Sequence, residues 1–213
     1  RIVGVDIRPP AENHGKVIFS RTDIRDPAIG KLMADHDINT VMHLAFVVQP
    51  IHDLKKMHDI DFNGTKNVLE TAAAAGVGHF LATSSTLAYG AHPDNPEILE
   101  EDRPLRGNKS YPYGYYKAET DRLMQKFAAA RSDMRVTILR PCTVFGPSVD
   151  NYVSRMLFLP ATVCISGADP PVQFVHEADF VDACLAAMDK SGGGAFNIAG
   201  DGTVSVREIA RVL

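Results

Sequence analysis

The sequence has few cysteines, no run of basic residues and no long apolar stretch. Its three cysteines (Cys142, Cys164 and Cys184) lie far apart and form no C-x-x-C pair. This argues against a disulfide scaffold or a structural zinc site, and we expect a cytoplasmic protein. Lysine and arginine number 22 against 26 acidic residues, so nucleic acid and anionic membranes are not expected partners. No stretch approaches the roughly 18 apolar residues of a membrane span. The eight histidines form neither H-x-H nor H-E-x-x-H, and we expect no metal site.

The 213 residues instead show short apolar strands that alternate with helical segments. Apolar and β-branched runs predict strands over residues 1–6, 17–19, 40–48, 79–83, 135–139, 174–175 and 195–198. Capping residues and helical spacing predict helices over 27–34, 54–75, 113–130, 152–159, 177–188 and 205–213. Such an alternation is typical of an α/β fold with a parallel, doubly wound sheet.

Tyr113 and Lys117 stand four residues apart in a predicted helix, so both project from one face. An ammonium beside a phenol stabilises the tyrosinate and lowers its pKa from about 10 toward neutrality. Such a phenol can move a proton to or from a substrate hydroxyl or carbonyl. The chain has six tyrosines, however, so a chance pairing of this kind remains the alternative.

Two polar positions follow predicted strands, at the end where open α/β sheets bind ligands. Ser85 comes just after the strand 79–83, and its hydroxyl can hydrogen-bond the same substrate oxygen as Tyr113. The alternative is a serine that only caps a loop. Asp6 ends the first strand, where dinucleotide-binding units place an acid for the adenosine ribose. The alternative is a turn-forming residue before two prolines.

In their order along the chain, these segments resemble the extended short-chain dehydrogenase/reductase family, in its NAD-dependent epimerase/dehydratase group. Eight segments spread through nearly the whole chain carry the resemblance: VGVDIRPP from residue 3, RTDIRDP from 21, HLAF from 43, NGTKNVL from 63, SSTLAYG from 84, YGYYK from 113, RPCTVFGP from 140 and FVHEAD from 174. The resemblance implies a Rossmann-type fold with NAD as cofactor.

The resemblance also implies a catalytic set of Ser85, Tyr113 and Lys117. Tyr113 takes a proton from a sugar hydroxyl while a hydride leaves the same carbon, Ser85 binds the oxygen, and Lys117 holds the nicotinamide ribose. The implied cofactor contacts are Asp6, Asp23, Ile24, Leu44, Ala45, Asp61, Ser84, Tyr113, Lys117 and Pro141. The implied substrate contacts are Ser85, Thr86, Thr143 and Arg155. The charge of Asp6 favours NAD over NADP, whereas the neighbouring Arg8 favours NADP.

Several positions depart from the family pattern. Thr86 and Leu87 stand where the dehydratases carry an Asp-Glu pair, so water elimination lacks its acid and base. Asp61 replaces an asparagine and lacks its amide donor, and Thr143 replaces another. The segment 146–173 is short and holds only Arg155 as a cation for a diphosphate.

The same resemblance suggests how the chain is organised. It implies an NAD-binding part over residues 1–145, and a mixed part over 146–213 that combines a substrate-binding segment with returning sheet elements. The family opens with a strand and a G-x-x-G-x-x-G turn that nothing before Arg1 supplies, so we expect this first β-turn-α unit to be missing from the chain. The helices over 61–75 and 113–130 imply a homodimer interface, with packing inside one chain as the alternative.

Three functions remain open from the sequence. The first is an NAD-dependent, UDP-glucose 4-epimerase-like enzyme whose small-molecule substrate is a nucleotide sugar. The second is an NAD(P)-dependent reductase or dehydrogenase of a non-sugar alcohol or ketone, as in the hydroxysteroid and dihydroflavonol branch. The third is a dinucleotide-binding protein without turnover, against which the intact Ser85, Tyr113 and Lys117 argue.

Overall fold

The computed structural model describes residues 1–11, 15–49, 51–157, 159, 166–167, 169–190 and 192–212, apart from the side chain of Tyr152. Its strands are β1 (Ile2–Asp6), β2 (Val17–Arg21), β3 (Thr40–His43), β4 (His79–Thr83), β5 (Arg135–Pro141), β6 (Thr143–Phe145), β7 (Pro171–Val172), β8 (Phe174–His176), β9 (Gly194–Ile198) and β10 (Val204–Ser205). Its α-helices are α1 (Ala28–Asp35), α2 (Leu54–His58), α3 (Thr65–Ala74), α4 (Pro112–Ala130), α5 (Tyr152–Leu157), α6 (Glu177–Asp189) and α7 (Val206–Val212).

Four parallel strands form the main sheet in the order β3-β4-β5-β9. Strand β4 lies inside this sheet, where Leu81 is paired with Met42 on one side and Thr137 on the other. Its central residues Phe80, Leu81 and Ala82 are almost completely buried, as is typical of a parallel strand covered on both faces. The parallel sheet expected from the sequence is therefore confirmed.

Helices cover both faces of this sheet. On one face α1, α3 and α4 pack against Phe80, Ala82 and Ile138. On the other face α6 packs against Leu81 and Leu139. This is the doubly wound arrangement that the sequence predicts. Strands β1 and β2 form a separate parallel pair, joined to the main core through the loop that follows β2.

The predicted strand over residues 40–48 is wrong beyond His43. The ladder with β4 ends there, where His43 is paired with Ala82. Leu44 and Val48 are then about half exposed, and the Val47 N–H donates to the Asp61 carboxylate at 2.7 Å instead of to a neighbouring strand. A side chain thus satisfies the backbone donor that a strand would have paired.

The single helix predicted over residues 54–75 is also wrong in detail. A π-helical turn, Asp59–Gly64, lies between α2 and α3. In this turn Asp61 is fully buried, whereas Ile60, which the apolar pattern places on the inward face, is half-buried. Gly64 packs against Ile24 so closely that a Cβ would lie 2.6 Å from its Cδ1 atom. Helix α3 is followed by Gly76, whose left-handed φ of 77° is typical of a residue just after a helix.

The C-terminal part contains strand pairs that the sequence analysis did not predict. Strand β6 is paired with β8 in parallel, and β7 with β10 in antiparallel fashion. These strands are two or three residues long, too short for a visible alternation of apolar and polar residues. Ser205 and Glu208 form a capping box at the start of the predicted helix 205–213, since each accepts the other's backbone N–H, at 3.2 and 2.7 Å.

Three further predictions concern a membrane span, the cysteines and the helix over residues 152–159. No helix in the described part of the chain is both long and apolar enough to cross a membrane. Cys142 and Cys184 are free thiols, and Cys164 lies outside the described residues. The predicted helix over 152–159 ends at Leu157, next to residue 158, which is also outside them.

Candidate active site

Helix α4 brings its first turn against the loop that follows β4. The helix begins at Pro112, whose fixed φ suits the first helical position. Gly114 allows the close approach, because a Cβ there would lie 2.9 Å from the Leu87 carbonyl oxygen. This contact brings Ser85 beside the Tyr113 phenol, close enough for Ser85 to lower the pKa of that phenol. The structure therefore brings two of the three predicted catalytic residues together.

Ser84 and Ser85 occupy the carboxyl end of β4, as predicted. The Ser85 hydroxyl caps the 3₁₀ turn Thr86–Tyr89 by accepting the Leu87 N–H at 3.2 Å. The Ser84 N–H donates to the Leu139 carbonyl at 2.6 Å, but its hydroxyl is buried without a partner among the described residues. A buried hydroxyl without a partner is costly. The Ser84 hydroxyl is thus suited to a ligand's polar group.

Lys117 is almost completely buried, with 3% of its surface exposed. Its ammonium donates to the Thr83 carbonyl at 2.8 Å and lies 3.7 Å from the centre of the Phe46 ring. Burial lowers the pKa of Lys117 to about 7, against the opposing pull of the Asp61 and Asp121 charges. The ammonium is thus desolvated and held by one carbonyl and one aromatic face.

The spacing of Tyr113 and Lys117 predicts that the pKa of the Tyr113 phenol is lowered. This prediction is wrong in direction, because the pKa is raised in the structure. Burial raises the pKa of Tyr113 to about 12, with contributions from Tyr111 and Asp61 that exceed the lowering by the Ser85 hydrogen bond. The Lys117 ammonium lies 5.8 Å from the centre of the Tyr113 ring and is aimed at Thr83. At neutral pH the phenol therefore carries its proton.

Asp61 lies beneath these residues and is fully buried. One carboxylate oxygen accepts the Val47 N–H, and the other has no partner among the described residues. Burial raises the pKa of Asp61 to about 7. Nearby, His43 shares a hydrogen bond of 2.9 Å with the Thr65 hydroxyl, and burial lowers the pKa of its imidazole to about 4.

Other predicted cofactor residues lie around the ends of β1 and β2 or flank the site. Asp6 accepts the Arg8 N–H at 2.8 Å, beside a cavity of about 510 Å³ that it helps to line. Asp23 forms a two-pronged ion pair with Arg25, which lowers the pKa of the Asp23 carboxyl. The Ile24 carbonyl accepts the Asn67 amide at 2.7 Å. Of the remaining three, Leu44 is exposed, Ala45 half-buried and Pro141 buried at the end of β5.

The predicted substrate residues are spread more widely. Ser85 lies in the site and Thr86 is half-buried in the adjoining 3₁₀ turn. Thr143 begins β6, where its N–H donates to the Gln173 carbonyl at 3.3 Å. Arg155 forms an exposed ion pair with Asp150, with contacts of 2.6 and 2.7 Å. Its guanidinium is therefore engaged at the surface.

The sequence analysis missed two features that support the site. Phe46 belongs to the HLAF segment, but its contact with Lys117 could not be read from a segment taken as a strand. Asp121 lies one helical turn after Lys117 and forms a completely buried, two-pronged ion pair with Arg140 at 2.9 and 3.0 Å. The four-residue spacing from Lys117 was the available signal for Asp121.

Residues 1–199 match the model of the NAD-dependent epimerase/dehydratase family. The chain belongs to this family. An uncharacterized protein of Mycobacterium tuberculosis is 27% identical over 218 residues, which cover 99% of this chain and 58% of that protein. A UDP-glucose 4-epimerase of Mycolicibacterium smegmatis is 29% identical, over 93% of this chain and 66% of the enzyme. This family member thus spans little more than half the length of the first curated relatives it matches.

Solved structures of the family share its fold. A UDP-glucose 4-epimerase of Thermotoga maritima superposes with a TM-score of 0.82 at 23% identity, covering 99% of this chain and 72% of that one. MoeE5, solved with UDP-glucuronic acid and NAD, superposes with a TM-score of 0.82 at 28% identity, covering 98% and 71%. Within the described part of this family member, no three His, Cys, Asp or Glu side chains gather as metal ligands.

Proposed function

We propose that this protein is an NAD-dependent epimerase of a nucleotide sugar, with UDP-galactose and UDP-glucose as the first pair to test. The observation that carries the proposal is the placement of Ser85 and Tyr113 next to each other, with the buried Lys117 ammonium 5.8 Å from the centre of the Tyr113 ring. The named relatives support it, since one is a UDP-glucose 4-epimerase and another was solved with a UDP-sugar and NAD. A homodimer and a cytoplasmic location stay predictions.

The residues present fit NAD as the cofactor. Two buried oxygens, on Ser84 and Asp61, lack partners among the described residues and lie beside the catalytic set. Lys117 offers a buried ammonium, and Asp6 a carboxylate at the end of β1 for the adenosine ribose. When bound, NAD would accept a hydride from the substrate carbon and return it.

The chain's own residues then transfer the proton and stabilise the charge that develops on the reacting oxygen and on Tyr113. Ser85 donates a hydrogen bond to the reacting oxygen, and its contact with Tyr113 aims both side chains at one atom. Tyr113 holds its proton at neutral pH, so it can donate it to a carbonyl oxygen. In the opposite step the Lys117 charge stabilises the tyrosinate that accepts a proton from the hydroxyl.

Dehydration is a poorer fit than epimerisation. Thr86 and Leu87 occupy the 3₁₀ turn next to Ser85, and neither side chain can act as an acid or base at neutral pH. Removal of water from a sugar requires such a pair. The site therefore supports reversible oxidation of one carbon more readily than elimination.

One observation favours a second candidate, a reductase or dehydrogenase of a non-sugar alcohol. Arg155 is the single cation of segment 146–173, and it is paired with Asp150 at the surface. A diphosphate would have to displace that ion pair. A substrate without phosphate needs no such rearrangement.

Product analysis separates these functions. The purified full-length protein is incubated with UDP-galactose and NAD, sugar products are resolved by NMR, and NADH is followed by absorbance. Appearance of UDP-glucose without net NADH supports the epimerase. Net NADH with a non-sugar alcohol, and none of the sugar conversion, supports the second candidate. Bound NAD without turnover of either substrate indicates a binding protein.

A further inference from the structure

Asp61 is a buried carboxylate, and among the described residues only one of its two oxygens has a hydrogen-bond partner. It lies in the π-helical turn between α2 and α3, a kind of irregularity often found at functional sites. One oxygen accepts the Val47 N–H at 2.7 Å, while the other is buried without a partner among the described residues. Burying a carboxylate oxygen without a partner lowers the stability of the folded state, so we expect another interaction that offsets this loss.

The bond to Val47 connects Asp61 with the catalytic lysine. Val47 follows Phe46, whose ring lies 3.7 Å from the Lys117 ammonium and meets the Tyr113 ring edge-on at 5.7 Å. Asp61 thus holds the backbone that carries the aromatic cover of Lys117. The charges of Asp61 and Lys117 also act on each other across the interior.

Other charged or titratable groups face this pair from three elements: His43 on β3, Tyr113, Tyr116 and Asp121 on α4, and Arg140 on β5. At neutral pH His43 is uncharged, because burial lowers its pKa to about 4. Both phenols are protonated, because their pKa values are raised. Asp121 is neutralised by its two-pronged ion pair with Arg140. Asp61 has no such ion-pair partner among the described residues, and its charge raises the pKa of Lys117 more than the charge of Asp121 does.

We propose that Asp61 is a positioning residue of the active site: the oxygen bonded to Val47 fixes the Phe46–Val47 backbone over Lys117, and the charge of the carboxylate helps to keep the buried ammonium protonated. The proposal deepens the proposed function, because a protonated Lys117 is what stabilises the tyrosinate there. The residue at this position therefore sets the pH range in which Lys117 carries its charge.

The test is a titration of Lys117 in the full-length protein without cofactor or substrate. Lysine side chains are labelled with ¹³C at Cε, and the Lys117 signal is assigned by its loss in Lys117→Met. Asp61→Asn keeps an acceptor for the Val47 N–H and nearly the same volume but removes the charge. We expect the pKa of Lys117 to fall by about one unit or more, a tenfold increase in the ratio of neutral amine to ammonium at a given pH.

Asp59→Asn is the matched control. It removes the same charge from the same π-helical turn, but Asp59 is partly exposed and paired with Arg25. We expect its Lys117 titration to equal that of the wild type. Because this readout needs no turnover, it stays valid whether or not the protein epimerises a sugar. An unchanged Lys117 titration in Asp61→Asn overturns the proposal.

If Asp61→Asn does not fold, the variant Lys117→Met provides a second test. In Lys117→Met the loss of the positive charge should raise the pKa of the Asp61 carboxyl, measured from its ¹³C signal, by about one unit or more. The Asp61 signal is assigned by its absence from an Asp61→Ala spectrum or, failing that, by backbone correlation. An Asp61 titration that is the same with and without Lys117 contradicts the proposal.

Discussion

The Lys117 ammonium lies 3.7 Å from the centre of the Phe46 ring, and among the described residues it also donates a 2.8 Å hydrogen bond to the Thr83 carbonyl. A desolvated cation above an aromatic face gains about 2 kcal/mol, more than an exposed pair gains. Phe46 is therefore part of the reason that this lysine can be buried.

A double-mutant cycle measures this contact. Phe46→Leu, Lys117→Met and the double variant are compared by urea unfolding, with a predicted coupling free energy of about 1–2 kcal/mol. The cycle removes the packing changes common to the single and double variants. A coupling near zero would show that the ring only fills space.

The buried ion pair of Asp121 with Arg140 should be structural. It joins α4 to β5, and the guanidinium also donates to the Tyr89 hydroxyl at 2.8 Å. Removing one partner leaves an uncompensated buried charge, so Asp121→Asn should lower the free energy of unfolding by about 3–5 kcal/mol. As a control, Asp133→Asn breaks the exposed pair with Arg131 and should leave the urea midpoint unchanged. Equal midpoints for the two variants would refute this assignment.

Gly114→Ala tests whether the close approach of α4 to the Ser85 turn is needed for catalysis as well as for stability. Its Cβ would meet the Leu87 carbonyl oxygen at 2.9 Å and push the Ser85 turn away from α4. We expect a loss of about 1–3 kcal/mol in unfolding free energy, with a fall in kcat that the matched variant Gly78→Ala does not show. Gly78 has room, since its nearest neighbour would be 3.8 Å from the added Cβ. If both variants behave alike, the close approach is not what positions Ser85.

The pH dependence of stability should carry a contribution from His43. Its folded-state pKa of about 4 lies below the ordinary 6.5, so the folded state prefers the neutral imidazole. The stabilisation is therefore complete above about pH 6.5 and is lost as the pH falls toward 4. Asp61 has the opposite sign over much of this range, because its pKa is raised to about 7.

The His43 contribution is isolated by comparison with His43→Gln, which keeps a polar group for Thr65. The unfolding free energy of the wild type minus that of the variant should shrink as the pH falls from 6.5 to 4, by at most about 1.4 kcal/mol for each unit of pKa difference. Urea unfolding at several pH values measures it. A difference that stays constant with pH would argue against a buried neutral imidazole.

Much of the fold and the centre of the site could be predicted from local patterns. Apolar runs between helical segments indicate a parallel sheet, and polar residues after such strands meet at one edge, which is how Ser85 was found. Tyr113 and Lys117 share a helix face through their spacing. These features depend only on residues near each other in the chain.

The remaining features depend on irregular backbone and on burial. Phe46 reaches Lys117 because the chain leaves the sheet after His43, which an apolar run does not reveal. Asp61 is buried in a π-helical turn, whereas the apolar spacing places Ile60 inward. The raised pKa of Tyr113 follows from desolvation that the sequence does not show. In each case tertiary packing overrides the local pattern.

The most direct test of the proposed function is the rate of UDP-galactose conversion by Tyr113→Phe. Tyr115→Phe is the matched control, since it removes a hydroxyl from the same helical turn but from a ring that packs edge-on against Tyr116. Loss of a general acid-base group costs about 10²–10⁴-fold in rate. We predict a fall in kcat of at least about 100-fold for Tyr113→Phe with NAD binding retained, and a near-normal rate for Tyr115→Phe. Undiminished conversion by Tyr113→Phe would contradict the account.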